Sequence, residues 1–302
     1  MRIFVTGAGG FIGGSIAAHL VERGHQVEGL IRRAEQAKDL EALGITPVIG
    51  SLDDTGLLAS QAKAADAVVN AADSDHRGAI DALLDALAGS GKAFLHTSGS
   101  SIVGDASGGL ASDVIYDEMS MPEPTPDKAA RVAIDNKVQD AAQRGVRSVV
   151  LCNTLIYGHG AVPGAKSVQL PRLIAQAQKS GIVRHVGPGL NRWSNVHIDD
   201  VAALYALVLA QSDLAPGGRF FFVESGEAAF RDMTAAIADA LHLGPAQDWP
   251  LDEAKQEWGY EMASYALGSN SRVRSLYTHS QLGWKPKRTS VVDWIRDEMQ
   301  SR

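Results

Sequence analysis

The stretch Ile3-Phe4-Val5-Thr6-Gly7-Ala8-Gly9-Gly10-Phe11-Ile12-Gly13-Gly14 constrains the fold more than any other part of the chain. An apolar run passes directly into glycines at positions 7, 10 and 13, and Ile12, Ile16, Leu20 and Val21 then recur with helical spacing. The pattern reads as a buried first strand, a tight turn and a helix N-terminus, the arrangement that holds a dinucleotide pyrophosphate. Gly7 permits the sharp turn, Gly10 lets backbone amides approach phosphate, and Gly13 lets the helix pack closely on the strand. The unpaired amides and dipole of the helix start favour the negative charge.

Apolar, β-branched runs alternate with helical patterns through the first half of the chain. The expected strands are 2–6, 26–31, 46–49, 66–71, 92–97 and 147–153, and the expected helices lie near 11–23, 34–43, 54–63, 77–90 and 127–144. Strands of this kind, separated by helices, call for a parallel sheet covered on both faces. The expected class is therefore α/β, a doubly wound Rossmann sheet with a smaller, mainly helical C-terminal substrate cap. The cofactor domain is expected over 1–155 plus a returning segment near 185–225, and the cap over 156–184 and 226–302. Helices near 167–180, 199–211 and 230–242 and a strand near 219–223 are expected in this second half.

The second strand runs Gln26 to Ile31 and is followed by Arg32-Arg33. An acidic residue at this point would accept hydrogen bonds from the adenosine ribose of NAD. Two guanidinium groups suit a 2′-phosphate instead, and Glu28 lies too early in the strand to serve the ribose. NADP(H) is thus expected over NAD(H); the alternative is that the two arginines only solvate a helix start.

Composition excludes more than it assigns. A net charge of −7 with no basic block argues against nucleic-acid binding, and no apolar run is long enough for a membrane span. Cys152 is the only cysteine, which excludes an intrachain disulfide, and its apolar surroundings read as core. The nine histidines show no metal-ligand spacing, so no metal is expected. No signal peptide is read ahead of the first strand, and the expected location is the cytoplasm. The expected partner is a small-molecule substrate, with a homodimer left open.

Taken in order, these residues resemble the extended short-chain dehydrogenase/reductases, the family of nucleotide-sugar epimerases, dehydratases and dihydroflavonol reductases. Thr6-Gly7-Ala8-Gly9-Gly10-Phe11-Ile12-Gly13 matches their TGxxGxxG loop, which implies cofactor contacts from Thr6, Gly7, Gly9, Gly10, Phe11, Ile12 and Gly13. Gly50-Ser51-Leu52-Asp53-Asp54 resembles the segment whose aspartate contacts adenine, which implies that role for Asp53. Val68-Val69-Asn70-Ala71-Ala72 resembles the fourth-strand segment along the cofactor, implying Asn70, Ala71 and Ala72. Leu151 to Gly158 resembles RPxxxYG with Cys152 and Asn153 replacing Arg-Pro. Asn191 to Ala202 resembles the segment ending in VxVxDVA, and Leu282-Gly283-Trp284-Lys285-Pro286 matches the C-terminal LGWxP.

The catalytic signature of that family departs here. The family places a Ser or Thr after the fifth strand and a YxxxK on the next helix, with the tyrosine as proton donor or acceptor. Counting back from Gly104 places the hydroxyl position at Gly99, flanked by Ser98 and Ser100. Thr125-Pro126 precedes the expected helix, but Asp127 stands at the tyrosine position and Arg131 at the lysine position, and the chain contains no YxxxK. The resemblance implies that Arg131 binds ribose and that Ser98 or Ser100 orients the substrate oxygen. The proton source is left among Tyr157, His159, a substrate group and water. His96, within the fifth strand, reads as a core or ladder residue. The functional reading is an NADP-dependent oxidoreductase acting on a small carbonyl or hydroxyl compound. A non-catalytic NADP(H) sensor and an epimerase or dehydratase are the alternatives.

Overall fold

A computed structural model describes residues 1–300. The chain alternates through β1 (Arg2–Thr6), α1 (Phe11–Glu22), β2 (Gln26–Ile31), α2 (Ala37–Ala42), β3 (Thr46–Ile49), α3 (Thr55–Ala64), β4 (Ala67–Asn70), α4 (Arg77–Leu87), β5 (Ala93–Gly99), α5 (Ala129–Asp140) and β6 (Arg147–Asn153). It continues through β7 (Leu155–Tyr157), α6 (Gln169–Ser180), β8 (Arg184–Val186), β9 (Arg192–His197), α7 (Ile198–Ala210), β10 (Arg219–Val223), β11 (Gly226–Ala229), α8 (Phe230–Leu241), β12 (Gln247–Trp249), α9 (Leu251–Trp258) and α10 (Val291–Asp297).

Seven strands form one sheet in the order β10-β6-β5-β4-β1-β2-β3, with every neighbouring pair parallel. The order in which strands are added reverses between β1 and β4, so a crevice opens beyond their carboxyl ends, where ligands of such sheets bind. Alternation along the strands splits the core in two. Ile3, Val5, Leu95 and Leu151 pack with Ile16 and Leu20 of α1 and with Val201, Leu204 and Tyr205 of α7. Phe4, Val68, Phe94 and Val150 pack on the opposite face with Ile80, Leu83 and Leu84 of α4 and Ile134 and Val138 of α5. Burial of both faces is why these strands read as nearly unbroken apolar runs.

The return to the sheet is shorter than the 185–225 expected from the sequence. Only α7 and β10 come back, and Arg147 fixes the return by donating to the carbonyls of Val208, Leu209 and Ala215 at 3.0–3.2 Å. Strands β8 and β9 instead pair within the smaller part, in sheets ordered β12-β8 and β11-β9-β7. A third core there joins Leu155, Tyr157, Leu173, Phe230, Met233, Ile237, Trp294 and Ile295. The cap is thus helices α6 and α8–α10 on two small sheets. Not all of 226–302 belongs to it. Leu282 and Trp284 pack in the α1/α7 core, Ser271 bonds Ser100, and the final two residues lie outside the described range.

The β1–α1 junction depends on the absence of side chains. Gly7 has φ +71°, and a Cβ on Gly13 would lie 2.4 Å from the Gly7 carbonyl oxygen and 2.7 Å from its carbon. Both are backbone atoms, so the helix would have to move. Gly13→Ala should therefore destabilise the fold by about 1–3 kcal/mol and shift the turn. A Cβ on Gly56, within α3, meets only the Asp54 carboxylate at 3.7 Å. Gly56→Ala should stabilise by about 0.4–1 kcal/mol through the unfolded chain. Thermal unfolding of the two variants beside the parent tests the contrast.

Candidate active site

A cavity of about 940 Å³ lies over the β1–α1 turn, lined by Gly7, Gly9 and Gly10, by Leu30 to Arg33 after β2, by Gln36, by Ser51 to Asp53, by Ala71 to Asp73 and by His76. Helix α1 starts at Gly10 with no side-chain cap and no acidic residue in its first turn. Its first amides are therefore left for a ligand, and the local field favours an anion. Gln36 donates from Nε2 to the Gly9 carbonyl at 3.3 Å and closes the turn from the β2 side. Thr6, Phe11, Ile12 and Gly13 are not among the lining residues. Thr6 and Phe11 are buried beneath the turn, and Gly13 is pressed on Gly7.

Arg32 and Arg33 are both exposed on the cavity wall, and no ion-pair partner of either is found among the described residues. Asp53 is held on the far wall by His76, with Nε2 to Oδ1 at 3.1 Å. Ala71 and Ala72 line the cavity, whereas Asn70 is 1 % exposed and faces into the sheet.

Toward β5 and α5 the polar groups turn inward. Thr6, Asn70 and His96 are in register on β1, β4 and β5, so their side chains share one face. The Ala71 amide donates to Thr6 Oγ1 at 3.2 Å, Thr6 donates to Asn70 Oδ1 at 2.6 Å, and Asn70 Nδ2 lies 3.1 Å from His96 Nδ1. His96 Nε2 faces Asp135 Oδ1 of α5 at 3.6 Å, too long for a hydrogen bond, and neither atom has another partner. Ser98 Oγ and Asp135 Oδ2 are 2.7 Å apart.

Burial dominates the titration of this pair. It pushes the Asp135 carboxyl up to about 7, against the opposing pull of the Ser98 hydroxyl and the Arg131 charge. It pushes the His96 imidazole down to about 4, assisted by Arg131. Between these values the two side chains together hold one proton.

The other residues singled out from the sequence lie in different surroundings. Arg131 forms a two-pronged ion pair with Asp75, Nε to Oδ1 being 2.8 Å and Nη2 meeting Oδ2, and its Nη1 reaches Ser101 Oγ at 3.4 Å. Its Nη1 would lie 3.8 Å from a Cβ on Gly99, so the cation does stand at the end of β5. Asp127 pairs with its neighbour Lys128 at 3.0 Å. Ser100 is 1 % exposed and bonded to Ser271 Oγ at 2.8 Å. Tyr157 is fully enclosed, donates to the Arg288 carbonyl at 3.1 Å and packs on His197 and Trp294; burial drives its phenol up. His159 bonds the Glu298 carbonyl at 2.9 Å beneath Trp294. Ser98 and Arg131 thus lie at the β5–α5 junction on different partners, Asp135 for Ser98 and Asp75 and Ser101 for Arg131, while Ser100, Tyr157 and His159 are bonded elsewhere.

Asp75, Asp135, Gln36 and His76 were not anticipated. One signal for Asp135 was present, because Arg131 and Asp135 are four residues apart on α5 and so share one of its faces.

The chain belongs to the NAD dependent epimerase/dehydratase family, whose model matches residues 3–223. An uncharacterized protein of Schizosaccharomyces pombe is 30 % identical, over 97 % of each chain. A 2-alkyl-3-oxoalkanoate reductase of Stenotrophomonas maltophilia is 31 % identical, over 75 % of this chain and 71 % of its own. Among solved structures, dTDP-glucose 4,6-dehydratase of Bacillus anthracis in complex with NAD superposes with a TM-score of 0.78 at 16 % identity, over 99 % of this chain and 96 % of its own. Family, fold and relatives together support a nucleotide-dependent oxidoreductase.

The buried pair has opposite effects on stability. Asp135 binds its proton more tightly folded than unfolded, so its contribution to stability falls as pH rises from about 4 to about 7. His96 binds its proton less tightly folded, so its contribution rises from about 4 to about 6.5. The two slopes should nearly cancel in the parent. Asp135→Asn should expose a stability that rises over that window, by on the order of 3 kcal/mol. His96→Asn should expose one that falls. Urea unfolding at pH 4.5, 5.5 and 6.5 measures both.

Proposed function

We propose that the protein is an NADP-dependent oxidoreductase that transfers a hydride to or from a small carbonyl or hydroxyl compound. The observation that carries this reading is the pair Arg32 and Arg33, unpartnered on the wall of the cavity, with no carboxylate at the end of β2. The cavity fits the cofactor on its own features. Its floor is a glycine turn at an uncapped helix start, and a Cβ on Gly10 would meet only the Gly7 carbonyl, at 3.2 Å. Gly7, Gly9, Gly10 and the first amides of α1 would hold the pyrophosphate, Arg32 and Arg33 the 2′-phosphate, and Asp53, Ala71 and Ala72 the adenosine side. When bound, the cofactor supplies or accepts the hydride.

Ser98 and Arg131 are the residues assigned to the reactive end. Arg131 keeps its charge there and orients oxygen atoms, but a guanidinium does not exchange a proton at neutral pH. The substrate class is supported by the reductase of Stenotrophomonas maltophilia, whose name specifies a 3-oxo compound. A second reading, a non-catalytic NADP(H) sensor, is favoured by the enclosure of Tyr157 and Ser100 and by Asp127 standing where the family places a tyrosine.

A charged hydrogen bond is worth about 1.5–3 kcal/mol, which corresponds to roughly tenfold or more in affinity. The parent should therefore bind NADPH at least tenfold more tightly than NADH. Arg32→Ala and Arg33→Ala should weaken NADPH and leave NADH nearly unchanged. Calorimetric titration of both cofactors tests this, and equal affinities reject the NADP assignment. Oxidation of NADPH across a panel of ketones and quinones separates the enzyme from the sensor.

A further inference from the structure

The buried chain between β1 and α5 has a direction that one backbone amide sets. Ala71 N–H can only donate, so Thr6 Oγ1 accepts it and turns its own hydrogen to Asn70 Oδ1, 2.6 Å away. The Asn70 amide nitrogen then faces His96 Nδ1, which must accept, and the imidazole proton sits on Nε2. That N–H points at Asp135 Oδ1, 3.6 Å away, and leaves Asp135 Oδ2 as the oxygen that carries a carboxyl proton. Ser98 Oγ donates to Asp135 Oδ2 at 2.7 Å when the carboxylate is ionised; a proton on Oδ2 reverses that bond and releases the serine hydrogen for another acceptor. The donors from Ala71 through Thr6 and Asn70 to His96 thus point the same way, from the wall of the cavity toward β5, and His96 Nε2 is left facing Asp135 without a hydrogen bond.

We propose that His96 and Asp135 hold one proton inside the sheet and pass it through the hydroxyl of Ser98 to the substrate oxygen, in place of the tyrosine that this chain lacks. The proposal rests on the oxidoreductase reading above. In this proposal Ser98, 4 % exposed near the end of β5, is the group that meets the substrate oxygen, and His96 and Asp135 act through it as positioning residues. As the carbonyl carbon gains a hydride, its oxygen takes the Ser98 proton. Ser98 Oγ takes the proton from Asp135 Oδ2, and the resulting carboxylate faces His96 Nε2–H. Solvent returns one proton to the pair after product leaves, so carbonyl plus hydride plus proton gives alcohol.

The groups around the pair suit a proton that is held and released. Arg131, one turn before Asp135 on α5, opposes the burial that favours the protonated carboxyl, and Asp75 beyond β4 offsets part of that charge. On β6, Cys152 is in register with Ser98, and burial keeps its thiol protonated, so it adds no charge. All five residues of the chain are at most 4 % exposed.

The first test needs no cofactor. In protein labelled with ¹⁵N-histidine, His96 should give the neutral Nε2–H pattern throughout pH 5–8, its signal assigned by loss in His96→Gln. Thr6→Val removes the residue that sets the direction and should bring in the Nδ1–H form. An Nδ1–H tautomer in the parent, or an ordinary titration near pH 6.5, overturns the proposal. The second test follows NADPH oxidation by 9,10-phenanthrenequinone. Turnover in the parent should fall as pH rises through about 7. Ser98→Ala and Asp135→Asn should each lower kcat about a hundredfold with KM little changed, and Asp135→Asn should lose the inflection. Full turnover in Ser98→Ala, or an inflection that persists in Asp135→Asn, overturns it. Failure to bind NADPH rejects the cofactor reading alone, and the labelled histidine still decides the pair. Tight NADPH binding without reduction of any carbonyl overturns the delivery role and leaves the sensor.

Discussion

The contact between Gly13 and the carbonyl of Gly7 is the constraint on which the rest of the architecture depends. It lets the axis of α1 come down on the end of β1, so the first amides of the helix open over the crevice where strand order reverses. The same closeness lets α1 pack on α7, and α7 in turn carries the chain back to β10. A single methyl group at Gly13 would act on the phosphate turn, the helix packing and the sheet edge together. Packed interiors transmit such displacements because they contain little free space.

Much of this could be read from the sequence, and the reason is locality. A buried parallel strand announces itself by an apolar run, and an amphipathic helix by its period, so β1 to β6 and the helices between them follow from short windows. The strands of the cap do not. Leu155–Tyr157, Arg184–Val186 and Gln247–Trp249 are each three residues long, too short for a period to register, and they exist only because partners arrive from far along the chain. The misplaced return near 185–197 has the same origin. The segment is expected within the return to the main sheet, and its place is decided instead by pairing of β9 with β7 and β11.

The site divides in the same way. The glycine turn and Arg32-Arg33 are contiguous, and their places on the cavity follow from the strand ends that precede them. Tyr157 stands in a motif similar to that of the family, yet its surroundings come from α10 and from the Arg288 carbonyl, which no local pattern reports. His96 reads as a satisfied core or ladder residue, and it is buried on β5 with only Nδ1 partnered. Its unpartnered Nε2 becomes visible only when α5 brings Asp135 against it.

Charge is distributed unequally between the two ends of the crevice, and this gives them different tasks. At the β2 end Arg32 and Arg33 stand exposed, with no carboxylate partner among the described residues, so their charge is left unsatisfied on the cavity wall. At the β5 end Arg131 is engaged by Asp75 on both prongs, so most of its charge is spent within the protein. A cation so engaged orients neighbouring oxygens and perturbs Asp135 moderately, without capturing a free anion. The Arg131 charge opposes the burial that raises the Asp135 carboxyl, and Asp75 acts in the other direction. Asp75 thus links the loop beside the cavity, through the guanidinium, to the buried Asp135 of α5.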